Sequence, residues 1–223
     1  SRKTTSYNPA GLIAKEETDQ DANGTMEFTK KWEYDASGLI TLYQAHENTS
    51  TLVERRTNTW NSKGELTKLI LEYQGQIKVS HQYTYDANGN KLTDAYDERD
   101  NGSIEGKTEW TYNSDNQITS KKSIDPSTNT ILNKQEYVYA NGLLQVKKYY
   151  TRVSNQLKYG HYDTLEYSNT NILLKTTSKD ASTGSVNTST TWTYNARGLQ
   201  TSSKHTNAHE SRENRNHTAE YDI

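Results

Sequence analysis

The residues with most chemical capacity in this 223-residue chain are aromatic: 17 Tyr and 4 Trp stand against a single Phe. Trp32, Trp60, Trp110 and Trp192 sit at equivalent or nearby places in recurring phrases such as WEYDASGLI (32–40), WTYNSDNQI (110–118) and WTYNARGLQ (192–200). Exposed indole and phenol rings can stack on sugar rings, so these four are the candidate ligand-stacking residues and a glycan or cell-wall polymer is the candidate ligand. A structural role competes with that reading and is favoured. Where aliphatic side chains are scarce, the rings are needed to hold the chain together, and a face covered by them is more often buried than open.

Other chemistry is weaker. DQDANG (19–24) matches the first half of a calcium loop, with Asp19, Asp21 and Asn23 as oxygen donors and Gly24 for the sharp turn. Lys30 stands where that pattern needs a bidentate Glu, and DERDNG (97–102) is a poorer copy, so plain hairpin loops are expected. His46, His81, His161, His205, His209 and His217 fall at unrelated places in the repeat. A zinc pair at His205 and His209 would need a helix, and KHTNAHESRENRNH reads as a polar strand and its return loop. No carboxylate pair is set in an apolar pocket that would shift its pKa, and no GxSxG elbow, HExxH motif or phosphate-binding glycine loop occurs. The expectation is a chain with no enzymatic activity and no cofactor.

Composition narrows the partners. Hydrophobic residues make up 30%, mean hydropathy is -1.10 and formal net charge is -2. Without a basic arm, nucleic acid is not an expected partner. No stretch has the apolar length of a membrane helix, and segments such as TNTWNSKGE and KTEWTYNSD cannot supply the lipid-facing band of an outer-membrane barrel. The absence of cysteine leaves the compartment open. So few aliphatic residues cannot fill a thick two-layer core, but the wealth of Tyr, Trp and Thr argues against disorder.

The elements that position these residues follow from a repeat. Aligned on the second aromatic of each phrase, anchors fall at Tyr7, Tyr34, Trp60, Tyr85, Tyr112, Tyr139, Tyr167, Tyr194 and Tyr221, roughly 25 to 28 residues apart. FTKKWEY (28–34) alternates in the period-2 manner of a strand. NPAG, DASG, NSKG, DANG and NARG then put Asp or Asn first and Gly fourth, the chemistry of a tight turn closed by a left-handed residue and a bulge. A second strand follows, as in LITLYQAH (39–46), and longer polar loops such as DQDANGT, DERDNGS, DPSTNT and DASTGS return the chain.

The fold class is therefore all-β: a repetitive antiparallel β-hairpin array of about eight repeats of roughly 27 residues, in an elongated meander strip or open β-solenoid. Residues 1–223 read as one continuous array of some sixteen strands, a fragment of a longer one. Anchors are expected to stack in ladders from repeat to repeat. Ile13, Ile40, Leu66, Leu92, Ile118, Leu144, Leu173 and Leu199, just after the tight turns, are expected to pack on the anchors of their own hairpins.

YTYDANGNKL (83–92) and WEYDASGLI (32–40) follow the pattern Y-x-Y-D-x-x-G-x-L and resemble the YD repeats of Rhs-type bacterial proteins. In that family, hairpins build long strips that spiral around a cavity and encapsulate a toxin, or serve as surface scaffolds. The resemblance covers essentially the whole chain. It implies a non-enzymatic scaffold or interaction segment of a larger bacterial protein, secreted or at the cell surface, whose partners are another protein or neighbouring repeats of the same polypeptide. The alternative is a carbohydrate- or cell-wall-binding module that uses the open side of the Trp and Tyr ladder.

Overall fold

The structure, a computed structural model, describes residues 1–48 and 50–208 and the backbone of Asn216–Thr218. The anchor Tyr221 and His209 lie outside the described residues, as does the side chain of His217. The chain divides into two compact units, Ser1–Glu109 with Asp125–Thr130, and Trp110–Ile124 with Ile131–Ile223. In the first unit run β1 (Arg2–Tyr7), β2 (Ile13–Asp19), β3 (Phe28–Tyr34), β4 (Ile40–Glu47), β5 (Thr51–Trp60), β6 (Leu66–Tyr73), β7 (Gln76–Tyr85), β8 (Lys91–Glu98) and the start of β9 (Gly106–Tyr112). The second holds most or all of β10 (Ile118–Asp125), β11 (Thr130–Ala140), β12 (Leu143–Val153), β13 (Gln156–Tyr167), β14 (Leu173–Asp180), β15 (Val186–Tyr194), β16 (Gln200–Asn207) and β17 (Asn216–Thr218).

Every strand from β1 to β8 pairs antiparallel with the next one. The same holds from β11 to β16. The chain is all-β, an antiparallel meander of hairpins, as the alternating segments and turn signals imply. The segment FTKKWEY is β3 residue for residue.

The tight turns show why the phrase repeats. Asp35 Oδ1 accepts hydrogen bonds from the backbone N–H groups of Ser37 at 2.8 Å and Leu39 at 2.9 Å, while Asp35 N–H donates to Leu39 O at 2.9 Å. The same pair of side-chain bonds recurs at Asn8, Asn61, Asp86, Asn113 and Asn195, and Ser168 Oγ performs it at the corresponding turn. Gly38 closes its turn at φ 82°, a region that costs residues with a Cβ, and Asn116 or Asn171 takes the place where glycine is missing. A register shift stands at the anchor just before the tight turn, as between Glu33 and Tyr34, and likewise at Tyr7, Trp60, Tyr85, Tyr167 and Tyr194. This is the expected glycine bulge.

Connections on the other edge are of two kinds. Long polar loops follow β2, β8, β10 and β14, as read from the sequence. Gln74–Gly75 and Ser154–Asn155 are instead two-residue turns with both φ values positive, the mirror-image type that matches strand twist.

Burial confirms a thin interior. Among the described residues, Ile124 is the one hydrophobic side chain below a tenth exposed, whereas Asp19, Thr29, Ser80, Asp97 and Thr177 are buried polar ones. Most strand residues are half-buried on both faces, so neither face of the sheet is a core in the usual sense. Backbone and side-chain hydrogen bonds must therefore carry a large share of the specificity. Replacing Asn195 by Ala removes the acceptor for the Arg197 and Leu199 amides and should lower unfolding free energy by about 1 kcal/mol, with Asn195→Asp close to wild type, as read from urea denaturation.

Candidate functional site

The anchors make one contact that the sequence did not announce. In the first unit Tyr34 Oη donates to Ile13 O at 2.8 Å, Trp60 Nε1 to Ile40 O at 2.9 Å and Tyr85 Oη to Leu66 O at 2.8 Å. In the second, Tyr139 Oη donates to Ile118 O at 3.0 Å, Tyr167 Oη to Leu144 O at 2.9 Å and Tyr194 Oη to Leu173 O at 2.8 Å. Each acceptor is the first residue, or for Leu144 the second, of the strand after the preceding repeat's tight turn. Consecutive anchors are thus linked by hydrogen bonds through the backbone, which corrects the expectation of ring-on-ring ladders.

The aliphatic positions are corrected in part as well. Ile40 does lie opposite Tyr34, and Leu66 opposite Trp60. Opposite Tyr85 and Tyr194, however, stand Lys91 and Gln200, one residue away from Leu92 and Leu199. Leu199 is 47% exposed. A second row explains the difference: in several repeats the residue directly after the left-handed turn residue reaches the next repeat's glycine. A Cβ placed on Gly38 would lie 3.6 Å from Leu12 Cδ1, and one on Gly64 3.6 Å from Leu39 Cδ1. In the second unit Gln117 Nε2 donates to Gly142 O at 2.7 Å.

The four tryptophans are all half-buried. Trp60 is itself an anchor, its indole spent on Ile40 O. Trp32 pairs across the sheet with Tyr43, ring centroids 5.5 Å apart at 52°. Trp110 has the Lys121 ammonium 5.7 Å from its ring, and Trp192 lies opposite Ser203. The four therefore differ in their immediate partners. The densest aromatic group is elsewhere, where His161 stacks on Tyr149 at 4.2 Å and Tyr159 on Tyr150 at 5.1 Å. Tyr150 donates to Glu136 Oε2 at 2.7 Å, and that bond, followed by burial, pushes its phenol up to about 12.

The loop DQDANG is built around its acids. Asp19, 1% exposed, accepts from Asn23 N–H at 3.1 Å and Gly24 N–H at 2.8 Å, and Glu27 Oε2 accepts from Gln20 N–H at 2.7 Å. Asp97 and Glu105 repeat these bonds to Asn101, Gly102 and Glu98 at 2.9, 2.7 and 2.6 Å. Asp19, Asp21 and Glu27 each offer an oxygen within 4.8 Å of the others, a grouping that could hold a cation. The loop at 97–105 makes the same bonds from Asp97 and Glu105 with Arg99 in the place of Asp21, so the third acid is not needed for them. Burial raises the Asp19 pKa, but the hydrogen bonds from Gly24, Asn23 and Ala22, with that of Asp21, together outweigh it and hold the carboxyl below its ordinary value.

Sequence reasoning also missed a cluster at Asp100, whose carboxylate receives Lys68 Nζ at 2.9 Å and the fully buried Ser80 hydroxyl at 2.8 Å. Because the Ser80 proton faces a carboxylate already paired with lysine, this triad ties the loop to β6 and β7. The lysine bond first, and then the serine, keep Asp100 below the usual carboxylate range.

The histidines are separate. His81 Nδ1 bonds Asp94 at 2.8 Å and His205 Nδ1 bonds Thr190 Oγ1 at 3.0 Å. His46 Nδ1 is buried without a hydrogen-bond partner, and burial, then the charges of Lys31 and Arg55, push its pKa down.

No family model and no curated protein sequence matches the chain. Solved structures do resemble it in fold. The crystal structure of TcdB2-TccC3-Cdc42 matches with a TM-score of 0.65 at 17% identity, covering 96% of this chain and 12% of that one. The Tc holotoxin pore of Photorhabdus luminescens gives 0.66 at 17% identity over 96% of this chain and 11% of that one. The crystal structure of TcdB2-TccC3 gives 0.66 at 18% identity, with coverage of 96% and 12%. The chain thus spans 11 to 12% of the length of the solved chains it matches. No helix among the described residues is long and apolar enough to cross a membrane.

Two tests follow. Tyr85→Phe keeps the ring but loses the bond to Leu66 O, and should cost about 1 to 2 kcal/mol in urea unfolding. At Trp60, tyrosine should be tolerated better than phenylalanine, since only tyrosine restores a donor toward Ile40 O. Acid should act in two steps. His46 is depressed in the fold relative to 6.5, so its neutral form is favoured there and stability falls as pH drops below that value. The depressed carboxylates Asp19, Asp100 and Asp180, the last held at about 2 mainly by Ser182 and Thr183, contribute stability that is lost only below about 3.8. His46→Leu should flatten the urea midpoint between about pH 7.5 and 5 and leave the more acidic transition in place.

Proposed function

We propose that the chain is a non-enzymatic scaffold or shell segment of a larger bacterial protein, secreted or at the cell surface, that works by presenting a rigid run of hairpins to other parts of its own polypeptide or to a protein partner. The observation that carries this reading is the bond, repeated at six anchors, from a phenol or indole to the backbone of the preceding hairpin. Within each unit it ties successive hairpins to one another, which is the requirement for a wall. A catalytic residue would instead need a group set apart by its surroundings.

The fold likeness over 96% of the chain to TcdB2-TccC3 and to the Tc holotoxin pore supports the same reading, since the first joins two proteins and the second is a holotoxin. So does the resemblance of the Y-x-Y-D phrases to YD repeats. The variable loops after β2, β8, β10 and β14 are where the segment would differ from one partner to another. An antibody raised against residues 1–208 tests the proposal in the source organism. It should detect a polypeptide well above 25.5 kDa in the culture fluid or on intact cells. A 25.5 kDa product confined to the cytosol would sink the reading.

A further inference from the structure

A cleft of about 300 Å³ opens on β3, β4 and β5 of the first unit, lined by Trp32, Ile40, Tyr43, Arg56 and Asn58. Its walls are the half-buried Trp32 and Tyr43 rings, tilted at 52° with centroids 5.5 Å apart, so that neither ring covers the other. Ile40 adds an aliphatic side chain to the lining. Arg56 holds its guanidinium 5.6 Å over the Tyr43 ring, fixed through Nε to Glu54 Oε1. Asn58 is fixed by donating to Ile40 O at 2.9 Å. The lining is thus pre-organised by its own contacts.

Among the side-chain polar atoms left over, donors outnumber acceptors, the acceptors being Asn58 Oδ1 and the Tyr43 hydroxyl. Among the described residues, neither the Trp32 indole N–H nor the terminal N–H groups of Arg56 donate to another protein atom, and Glu54 already receives Arg56. A ligand suited to this cleft brings an apolar ring to lie against the indole and phenol, together with carbonyl acceptors. A polyproline II segment does both: its pyrrolidine rings are apolar and rigid, its carbonyls are unpaired, and its prolines carry no N–H that would demand an acceptor. A sugar presents hydroxyls that donate as well as accept and would find only Asn58 Oδ1 and the Tyr43 hydroxyl to receive them among the lining side chains.

We propose that the Trp32–Tyr43 cleft is a docking site for a proline-rich segment of another polypeptide, with a proline ring against Trp32 and the Trp32 and Arg56 N–H groups donating to its carbonyls. This chain contains 2 prolines in all, so the ligand is not one of its own described segments. The site is independent of the scaffold reading. It also distinguishes Trp32 from the other tryptophans: Trp60 has spent its indole N–H, Lys121 lies over Trp110, and Trp192 faces a serine.

The test is a titration of the full chain with a synthetic oligoproline of about ten residues, long enough for three turns of the helix. Indole N–H signals are followed by NMR, with a glycine–serine peptide of equal length and with cellotetraose and chitotetraose as comparison probes. The Trp32 indole signal should move with oligoproline alone, with a Kd on the order of 0.1 to 1 mM for so small a contact. Trp32→Ala should abolish the response, Trp192→Ala should keep it, and Arg56→Met should weaken it about five- to tenfold. Trp32→Phe retains a ring and loses the donor; it should stay folded by circular dichroism and bind several-fold more weakly. An unmoved Trp32 signal, an equal shift with the glycine–serine peptide, or a shift with the sugars in place of oligoproline would each overturn the proposal, the last in favour of a glycan site.

Discussion

The structure depends on one hydrogen bond made over and over: an aromatic donor at the end of one hairpin's first strand reaches the carbonyl that opens the second strand of the hairpin before it. A single hairpin is at best marginally stable in water, because it has too little apolar surface to offset the ordering of its chain. Here the tight turn and the anchor act together. The side chain of Asp, Asn or Ser organises the turn, the left-handed residue produces the bulge, and the bulge sets the anchor in register to reach its neighbour. Trp60 shows that the donor matters more than the ring type, since an indole nitrogen reaches Ile40 O at the same 2.9 Å that Tyr167 needs for Leu144 O.

A fold held this way can be polar almost throughout. With hydrophobic residues at 30%, burial of apolar area cannot supply what it supplies in a compact globule. The interior that does exist is unusual in kind: Asp19, Asp97 and Ser80 are less exposed than any aliphatic side chain among the described residues. Each is satisfied, the two aspartates by backbone amides of their own loops and the serine by Asp100. Buried polar groups are tolerable when fully bonded and costly otherwise, so these loops tolerate little change at Asp19 and Asp97 even though their tips face solvent. His46 and Ser120, with buried atoms that find no partner, are the exceptions.

What the sequence disclosed, and what it hid, follows from the range of each interaction. Alternation and turn chemistry are local, so β3 and the Asp35 turn were readable as they stand. The repeat itself announced which residues are equivalent. It could not say how equivalent residues meet, because Tyr34 and Ile13 are 21 positions apart and the meeting is between a side chain and a backbone atom. The aliphatic row was misaligned at Leu92 and Leu199 for a related reason. Sequence rewards the nearest apolar residue, whereas register rewards the residue two places past the left-handed position, whether that is Ile40, Lys91 or Gln200. The likeness between the loops at 19–27 and 97–105 was visible, but the calcium pattern drew attention to Asp21, which the second loop replaces by Arg99, and away from Glu27, which it keeps as Glu105.

The same reasoning separates the positions that must stay from those that can specialise. The anchor is constrained on both sides, by the bulge that precedes the tight turn and by the carbonyl it must reach. The residue two before it shares its face of the sheet and is less constrained, although Asn58 also donates to the Ile40 carbonyl that Trp60 reaches. That position is filled by Trp32, Asn58, Tyr83, Tyr137, Leu165 and Trp192 in different repeats, a range from indole to amide to aliphatic that the anchors never show. Its partners across the sheet vary as freely, from Tyr43 opposite Trp32 to Asp94, Lys147 and Ser203 opposite Tyr83, Tyr137 and Trp192. A repeat that fixes its joints in hydrogen bonds can therefore alter this half-exposed pair in any one unit without disturbing the next. Individuality can then collect in single repeats, as it does where Trp32, Tyr43 and Arg56 come together.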